Sequence, residues 1–297
     1  MTTFADGLYQ YGGQPVGNMP DGSGTTYFVD NNSGNDGNTG RSWEKAFKTL
    51  SRAQAVSDVD IARGSDRWAR RNTIYFTGDR LVENLTAFPS KCDVIGVGST
   101  DAFKQGTLQG NHTIAAGSGC RFFNVAFEPY TAADIMTLTS GAVGIEFHGC
   151  EFRATSSTVT AVSAIDSTAS YGLKVIGNLF HGAFSGDVID IGAGDVRFTE
   201  IRNNRIMGGA NDGIVVTDTT TIATGYLALI ADNEIYVNNV TISDGADSTF
   251  AVIGNKCVTA AAYGATSHVI TVAFAAGNIV TANGATYPIP VWTDIEA

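Results

Sequence analysis

The residues best placed by type and spacing to do chemistry are five aspartates, Asp187, Asp190, Asp195, Asp212 and Asp218. Cleavage of a glycosidic bond, by hydrolysis or elimination, needs two or three convergent carboxylates, with Arg or Lys to neutralise a uronate or the transition state. Asp187, Asp190 and Asp212 are the candidates for catalytic roles. The same residues have a plainer reading. Asp187, Asp190 and Asp195 alternate with Val and Ile, as on a strand with one solvated face, and Asp212 in Asn211-Asp212-Gly213 has turn composition. The plainer reading is preferred, and no catalytic, cofactor or metal site is expected.

The other reactive side chains are scattered. His112, His148, His181 and His268 share no i, i+4 spacing, so metal ligation is not expected and all four read as solvent-facing turn residues. Cys92, Cys120, Cys150 and Cys257 form no CxxC pair and read as buried free thiols.

Two segments read as contact surfaces. Arg63, Arg67, Arg70 and Arg71 surround Trp68 and make the main basic patch of an acidic chain, and Arg and Trp are favoured interface anchors. Ahead of them, Phe4, Leu8, Tyr9 and Tyr11 lie in a Gly-rich leader, where aromatic exposure is costly without a use. Both are expected to meet a partner or another subunit.

Charge narrows the partners. A net charge of −11 with only 18 Lys and Arg leaves few cations for a phosphate backbone, which argues against nucleic acid and anionic membranes. The sequence has no 18-residue apolar run, and Met1 to Gly13 shows no basic and then apolar signal pattern, so synthesis in the cytoplasm is expected.

The elements that must position these residues come from a repeat. A pattern of apolar, any, small or polar, Asn-like, any, apolar recurs in Phe76–Leu81, Val94–Ser99, Phe122–Phe127, Phe147–Phe152, Val175–Phe180, Ile201–Ile206, Ile230–Ile235 and Val252–Cys257. Its fourth positions, 79, 97, 125, 150, 178, 204, 233 and 255, are spaced by about 25 residues on average. The copies are rich in Val, Ile, Phe and Thr and leave no room for a helix, so short strands must pair with their equivalents one coil away. Phe76, Val94, Phe122, Phe147, Val175, Ile201, Ile230 and Val252 are expected to stack inward, as are Leu81, Phe127, Phe152, Phe180, Ile206, Ile235 and Cys257. Asn178, Asn204, Asn233 and Asn255 fall in register as a structural ladder, able to exchange amide hydrogen bonds along the axis and to take the left-handed backbone of a turn.

The expected fold is therefore all-β: a single right-handed parallel β-helix, with an N-terminal capping helix and a C-terminal β-strand tail. Residues 1–26 form an extended arm, 27–258 the β-helix with a capping helix at 43–56 started by Ser42, and 259–297 a β cap or oligomerisation segment. Asn283-Gly284 is a hairpin signal within that tail.

The entry Tyr27-Phe28-Val29-Asp30, the Asn/Gly/Asp loop to Gly40 and the segment Trp43 to Leu50 resemble the start of pectate-lyase-like β-helix domains. The leader Asp6 to Gly13 is similar to those of phage capsid-decorating and tail proteins. This resemblance implies a trimeric virion protein: either a capsid cement or decoration protein on the capsid exterior, bound to the major capsid protein, or a tailspike that binds or degrades host surface polysaccharide. Asn211-Asp212-Gly213 resembles the Asn-x-Asp element of polygalacturonases, but that family's Asp-Asp pair, Gly-His-Gly and Arg-x-Lys have no counterpart here.

Overall fold

The computed structural model describes residues 23–63, 70–98, 106–156, 159–168, 170–192, 198–209, 211–216, 228–238, 242–244 and 250–259, and the short strands 8–9, 15–16, 274–276, 279–282 and 285–288. Three sheets wrap one core. The first has ten strands, from Ser23–Asp30 to Phe274–Ala276; the second has ten, from Arg80–Val82 to Ala285–Pro288; the third has six, from His112–Ile114 to Ile242–Asp244. Neighbours within each sheet come from successive coils and pair in parallel, except for the last hairpin of the second sheet. The chain is a parallel β-solenoid, nearly all β, with one α-helix near its N-terminus.

The period of two decides what faces inward. Arg71–Thr77 alternates half-buried with buried residues, and its inward Ile74 begins a column that continues through Val94, Phe122, Phe147, Val175, Ile201, Ile230 and Val252. A second column runs from Leu81 through Leu108, Phe127, Phe152, Phe180, Ile206 and Ile235 to Cys257. Aromatic rings stack within the columns, Phe152 on Phe180 at 4.7 Å and Phe127 on Phe152 at 4.9 Å. Each buried side chain of this size contributes roughly 1.5–3 kcal/mol, which offsets the ordering of many loops. All four cysteines are buried and free. Burial pushes the Cys92 and Cys120 thiols up and Cys150 up to about 12, so these three are not ready nucleophiles.

The first coils depart from the sequence register. Val94 lies opposite Ile74 rather than Phe76, and Phe76 lies opposite Gly96. The second-column residue of that coil is Leu108, not a residue of the 97–99 segment. The cause is the nine residues of sequence between strand Cys92–Gly96 and strand Gly106–Gln109, which delay the second strand. The Phe76 ring fills the space this leaves, so close that a Cβ on Gly106 would lie 2.8 Å from it.

The cap also differs. A 3-10 turn, Trp43–Lys45, is separated from the α-helix Leu50–Ile61 by extended chain, so the 43–56 helix begins later than expected. Phe47 interrupts it because its backbone pairs with the first strand, accepting from Asp30 N–H at 2.8 Å and donating to Phe28 C=O at 2.9 Å. Thr49, not Ser42, caps the helix by accepting from Arg52 N–H at 3.2 Å. The Glu83 carboxylate accepts from Leu50 and Ser51 N–H at 2.8 and 3.2 Å, satisfying two more orphan donors. Leu50, Ala53, Ser57 and Ile61 are the buried face of the helix.

The solenoid is longer than residues 27–258. The first strand starts at Ser23, and strands Phe274–Ala276 and Ile279–Ala282 extend the first and second sheets beyond residue 258. The strands flanking Asn283-Gly284 pair antiparallel, Ala282 opposite Ala285.

Between the first and second sheets the chain turns through one left-handed residue. Asn124, Asn203 and Asp232 have φ of 53°, 56° and 54°, and Gly149, Gly177 and Gly254 have 57°, 67° and 68°. Glycine, Asn and Asp tolerate this region best. The ladder asparagines follow that residue and are not themselves left-handed, which corrects the sequence reading. Asn178 Nδ2 donates to Asn204 Oδ1, Asn204 Nδ2 to Asn233 Oδ1 and Asn233 Nδ2 to Asn255 Oδ1, at 3.0, 3.0 and 2.8 Å. Each Oδ1 also accepts a backbone N–H from the preceding coil.

Candidate functional site

With the inward columns of the first and second sheets apolar, the candidate charged groups are sought on the outward residues of the three sheets. On the first sheet, one outward column alternates in charge through Asp93, Arg121, Glu146, Lys174 and Glu200. Arg121 grips Asp93 through two bonds of 2.7 Å, Lys174 reaches Glu146 at 3.2 Å, and Arg202 pairs with Glu200. A neighbouring column, Phe28, Tyr75, Ile95, Phe123, His148 and Ile176, is a half-buried apolar stripe.

The second sheet carries a chain of charge that sequence reasoning missed. Arg80 Nε lies 2.8 Å from Glu128 Oε2 without an aligned hydrogen bond, and Arg153 donates to both Glu128 and Glu151 at 2.8 Å. His181 Nε2 closes the chain on Glu151 at 2.6 Å. Glu128 and Glu151 are only 2% and 4% exposed. Burial opposes the Glu151 charge, but the bonds from His181 and Arg153 outweigh it and hold its carboxyl below the ordinary range. The sequence signal was Glu128 and Arg153 at equivalent positions of adjacent coils, which shows only when the register is known.

The third sheet holds the expected aspartates, differently arranged. Asp190 lies in register with Asp166 on one side and Val215 on the other. Asp187 accepts from the Asp212 backbone N–H at 3.1 Å, so the Asp187–Asp212 link is a turn contact. Asp195 and Asp218 lie outside the described residues. The carboxylate facing Asp190 is therefore Asp166, which was missed; its signal was the repeated Ile165-Asp166 and Ile189-Asp190, 24 residues apart. Burial first, then the charges of Asp166, Asp187 and Asp134, push the Asp190 carboxyl up to about 6. Its Oδ1 is buried without a hydrogen-bond partner.

The sign of this effect gives a prediction. A carboxyl raised in the folded state favours folding below its ordinary value of 3.8, and that contribution is lost as pH rises through about 6. Asp190→Asn is expected to raise stability at pH 8 by about 1 kcal/mol, discounted for the half-exposed site, and to change little at pH 3.5. Chemical denaturation at the two pH values checks it; equal effects at both would remove the like-charge account.

The histidines split. His112 is 1% exposed on an inward position of the third sheet, contradicting its expected turn location. The expectation failed because the sequence showed no strand around it. His148 and His181 lie on strands and contact carboxylates, Glu146 at 2.8 Å and Glu151 at 2.6 Å. His268 lies outside the described residues. Among the described residues no group of three or more His, Cys, Asp or Glu is arranged to hold a metal ion.

Of the expected contact residues, Leu8 and Tyr9 form a strand paired antiparallel with Pro15–Val16. Arg63 is exposed just past the helix. Arg70 is 3.7 Å from Asp60, and Arg71 donates to Asp93 and to Gly119 C=O at 2.9 Å, so both are tied into the fold. Phe4, Tyr11, Arg67 and Trp68 lie outside the described residues.

No family model, curated protein or solved structure matches this chain.

Proposed function

We propose that the chain is a virion structural protein, a capsid-decorating or cement protein that acts as a homotrimer on the capsid exterior by binding the major capsid protein. The observation that carries the reading is the uninterrupted axial stack. Every coil is tied to the next by backbone pairing, a dry column and, from Asn178 to Asn255, a buried amide ladder, which suits a rigid body that bridges neighbouring subunits. The leader, with its short Leu8–Tyr9 and Pro15–Val16 strand pair, supplies a segment outside the stack that can order against a capsid surface. Among the described residues of the basic segment, Arg63 is exposed and available to the same contact.

Deleting residues 1–22 is expected to abolish co-sedimentation with capsids stripped of this protein while leaving the solenoid's melting temperature within about 2 °C. Undiminished co-sedimentation would sink the docking role of the leader. Sedimentation velocity of the intact chain tests the trimer, which a monomer at micromolar concentration contradicts.

The Asp166 and Asp190 pair favours a second reading, a tail protein that cleaves host surface polysaccharide. Two carboxyls in register, both raised by burial and by neighbouring carboxylates and Asp190 the further of the two with a value of about 6, suit a general acid and its partner. That reading expects release of reducing ends or unsaturated uronate from capsular polysaccharide, lost in Asp166→Asn and Asp190→Asn. Unaltered release in both variants removes these residues from the chemistry.

A further inference from the structure

At the corner between the first and second sheets, the outer surface forms a groove of about 380 Å³ over three successive coils, from Asn203 to Lys256. One wall is the column of left-handed turn residues, Asn203, Asp232 and Gly254. The other is the outward column Arg205, Glu234 and Lys256, in register on successive strands. The outward projection follows from the backbone: a left-handed residue at the bend turns its side chain away from the core, while the next residue, Asn204 or Asn233, turns inward to the ladder.

The polar groups of these walls have bonding capacity left over. Arg205 Nε and Lys256 Nζ stand 3.5 and 3.7 Å from Glu234, beyond an ordinary hydrogen bond, with side chains 57% and 67% exposed. The side chains of Asn203 and Asp232 make no hydrogen bond among the described residues. The second-sheet charges of earlier coils behave differently, since Arg153 bonds both Glu128 and Glu151 and His181 bonds Glu151, at 2.6–2.8 Å. The two cations and two carboxylates of the groove cancel, so it offers donors and acceptors without net charge, on a chain of net charge −11 that repels polyanions. Donors and acceptors recur at each coil, about 4.8 Å apart, which suits an extended ligand rich in hydroxyl groups.

We propose that this groove binds a neutral oligosaccharide, its hydroxyls bridging Arg205, Glu234 and Lys256 on one wall and Asn203 and Asp232 on the other. The site is independent of the capsid reading. It is also separate from the Asp166 and Asp190 pair, which lies on the third sheet, a full sheet width from this corner on either side.

The test uses the full chain and saturation-transfer NMR with a panel of neutral hexasaccharides built from glucose, galactose, mannose, rhamnose and N-acetylglucosamine, with hexagalacturonate as the charged comparison. At least one neutral hexasaccharide is expected to bind at sub-millimolar concentration and more tightly than hexagalacturonate. Arg205→Ala and Asp232→Ala are each expected to weaken it tenfold or more, Arg205→Ala with an unchanged melting temperature and Asp232→Ala with the small loss that alanine brings to a left-handed turn position, and the conservative Arg205→Lys to retain part of the affinity. Asp190→Asn is expected to leave it unchanged. Binding of none of the neutral panel, or binding unaffected by both alanine variants, overturns the proposal. Binding lost in Asp190→Asn and kept in Arg205→Ala places the saccharide on the third sheet and also overturns it.

Discussion

Asn233→Ala is expected to destabilise the protein by about 4 kcal/mol, the largest effect of any single substitution considered. The Asn233 amide makes four buried bonds. Its Nδ2 donates to Ile201 C=O at 3.0 Å and to Asn255 Oδ1 at 2.8 Å, and its Oδ1 accepts from the backbone and side-chain nitrogens of Asn204, both at 3.0 Å. Alanine leaves Asn204 N–H without a partner and removes the second bond accepted by Ile201 C=O, which keeps only its pairing within the first sheet; a buried orphan costs about 1–3 kcal/mol. The orphaned amides of Asn204 and Asn255 add to this, partly relieved by rotation. Asn233→Asp keeps the shape but sets a carboxylate oxygen against Ile201 C=O and Asn255 Oδ1, so it is expected to be at least as harmful. Urea denaturation measures both. A loss below about 1 kcal/mol for Asn233→Ala would mean that the ladder contributes little beyond the apolar columns.

The second large expectation concerns acid. Burial lowers the His112 imidazole to about 3, and its Nδ1 accepts the Leu85 N–H at 3.1 Å, so the folded state holds the ring neutral. For a group lowered on folding, the contribution is complete above the ordinary value of 6.5 and is lost as pH falls towards about 3. At about 1.4 kcal/mol for each pH unit crossed, this group removes on the order of 4 kcal/mol over that window. Asp190 works in the opposite direction between about 6 and 3.8, but its half-exposed site makes that gain smaller. Glu146 and Glu151, held low by their partners, add to the loss at the acid end. The balance is therefore acid lability. Gln at position 112 can still accept from Leu85 N–H and does not titrate, so His112→Gln is expected to flatten the decline in melting temperature between pH 6.5 and 4. A variant whose decline matches the wild type would remove His112 from the account.

These two residues also mark what could be read from the sequence. The ladder was legible because Asn recurs at one offset in four consecutive coils, a pattern set by backbone turns that tolerate no drift. Phe122, Phe147, Val175 and Ile201 were legible for the same reason. The first coils were not, because Gly96 to Gly106 inserts chain between sheets and shifts Leu108 out of the repeat. His112 was invisible because the third sheet has strands of only three residues, such as Met136–Leu138 and Ile165–Ser167, too short to show a period. Asp166 was missed with them, since its relation to Asp190 exists only once coils are stacked. The helix was misplaced because periodicity continued through Phe47, whose backbone was already committed to the first strand.

The hairpin Ile279–Pro288 has one more consequence. A parallel solenoid ends on a row of unpaired backbone groups that could template the next molecule, and repeated addition would give a fibre. On the second sheet the final strand, Ala285–Pro288, runs against the direction of every strand before it. An incoming coil of another copy would have to pair with a strand of reversed sense that also carries Pro288, which lacks the N–H a ladder requires. Chain direction and Pro288 thus end the parallel run of the second sheet at Ile279–Ala282 and disfavour continuation of that sheet by another copy.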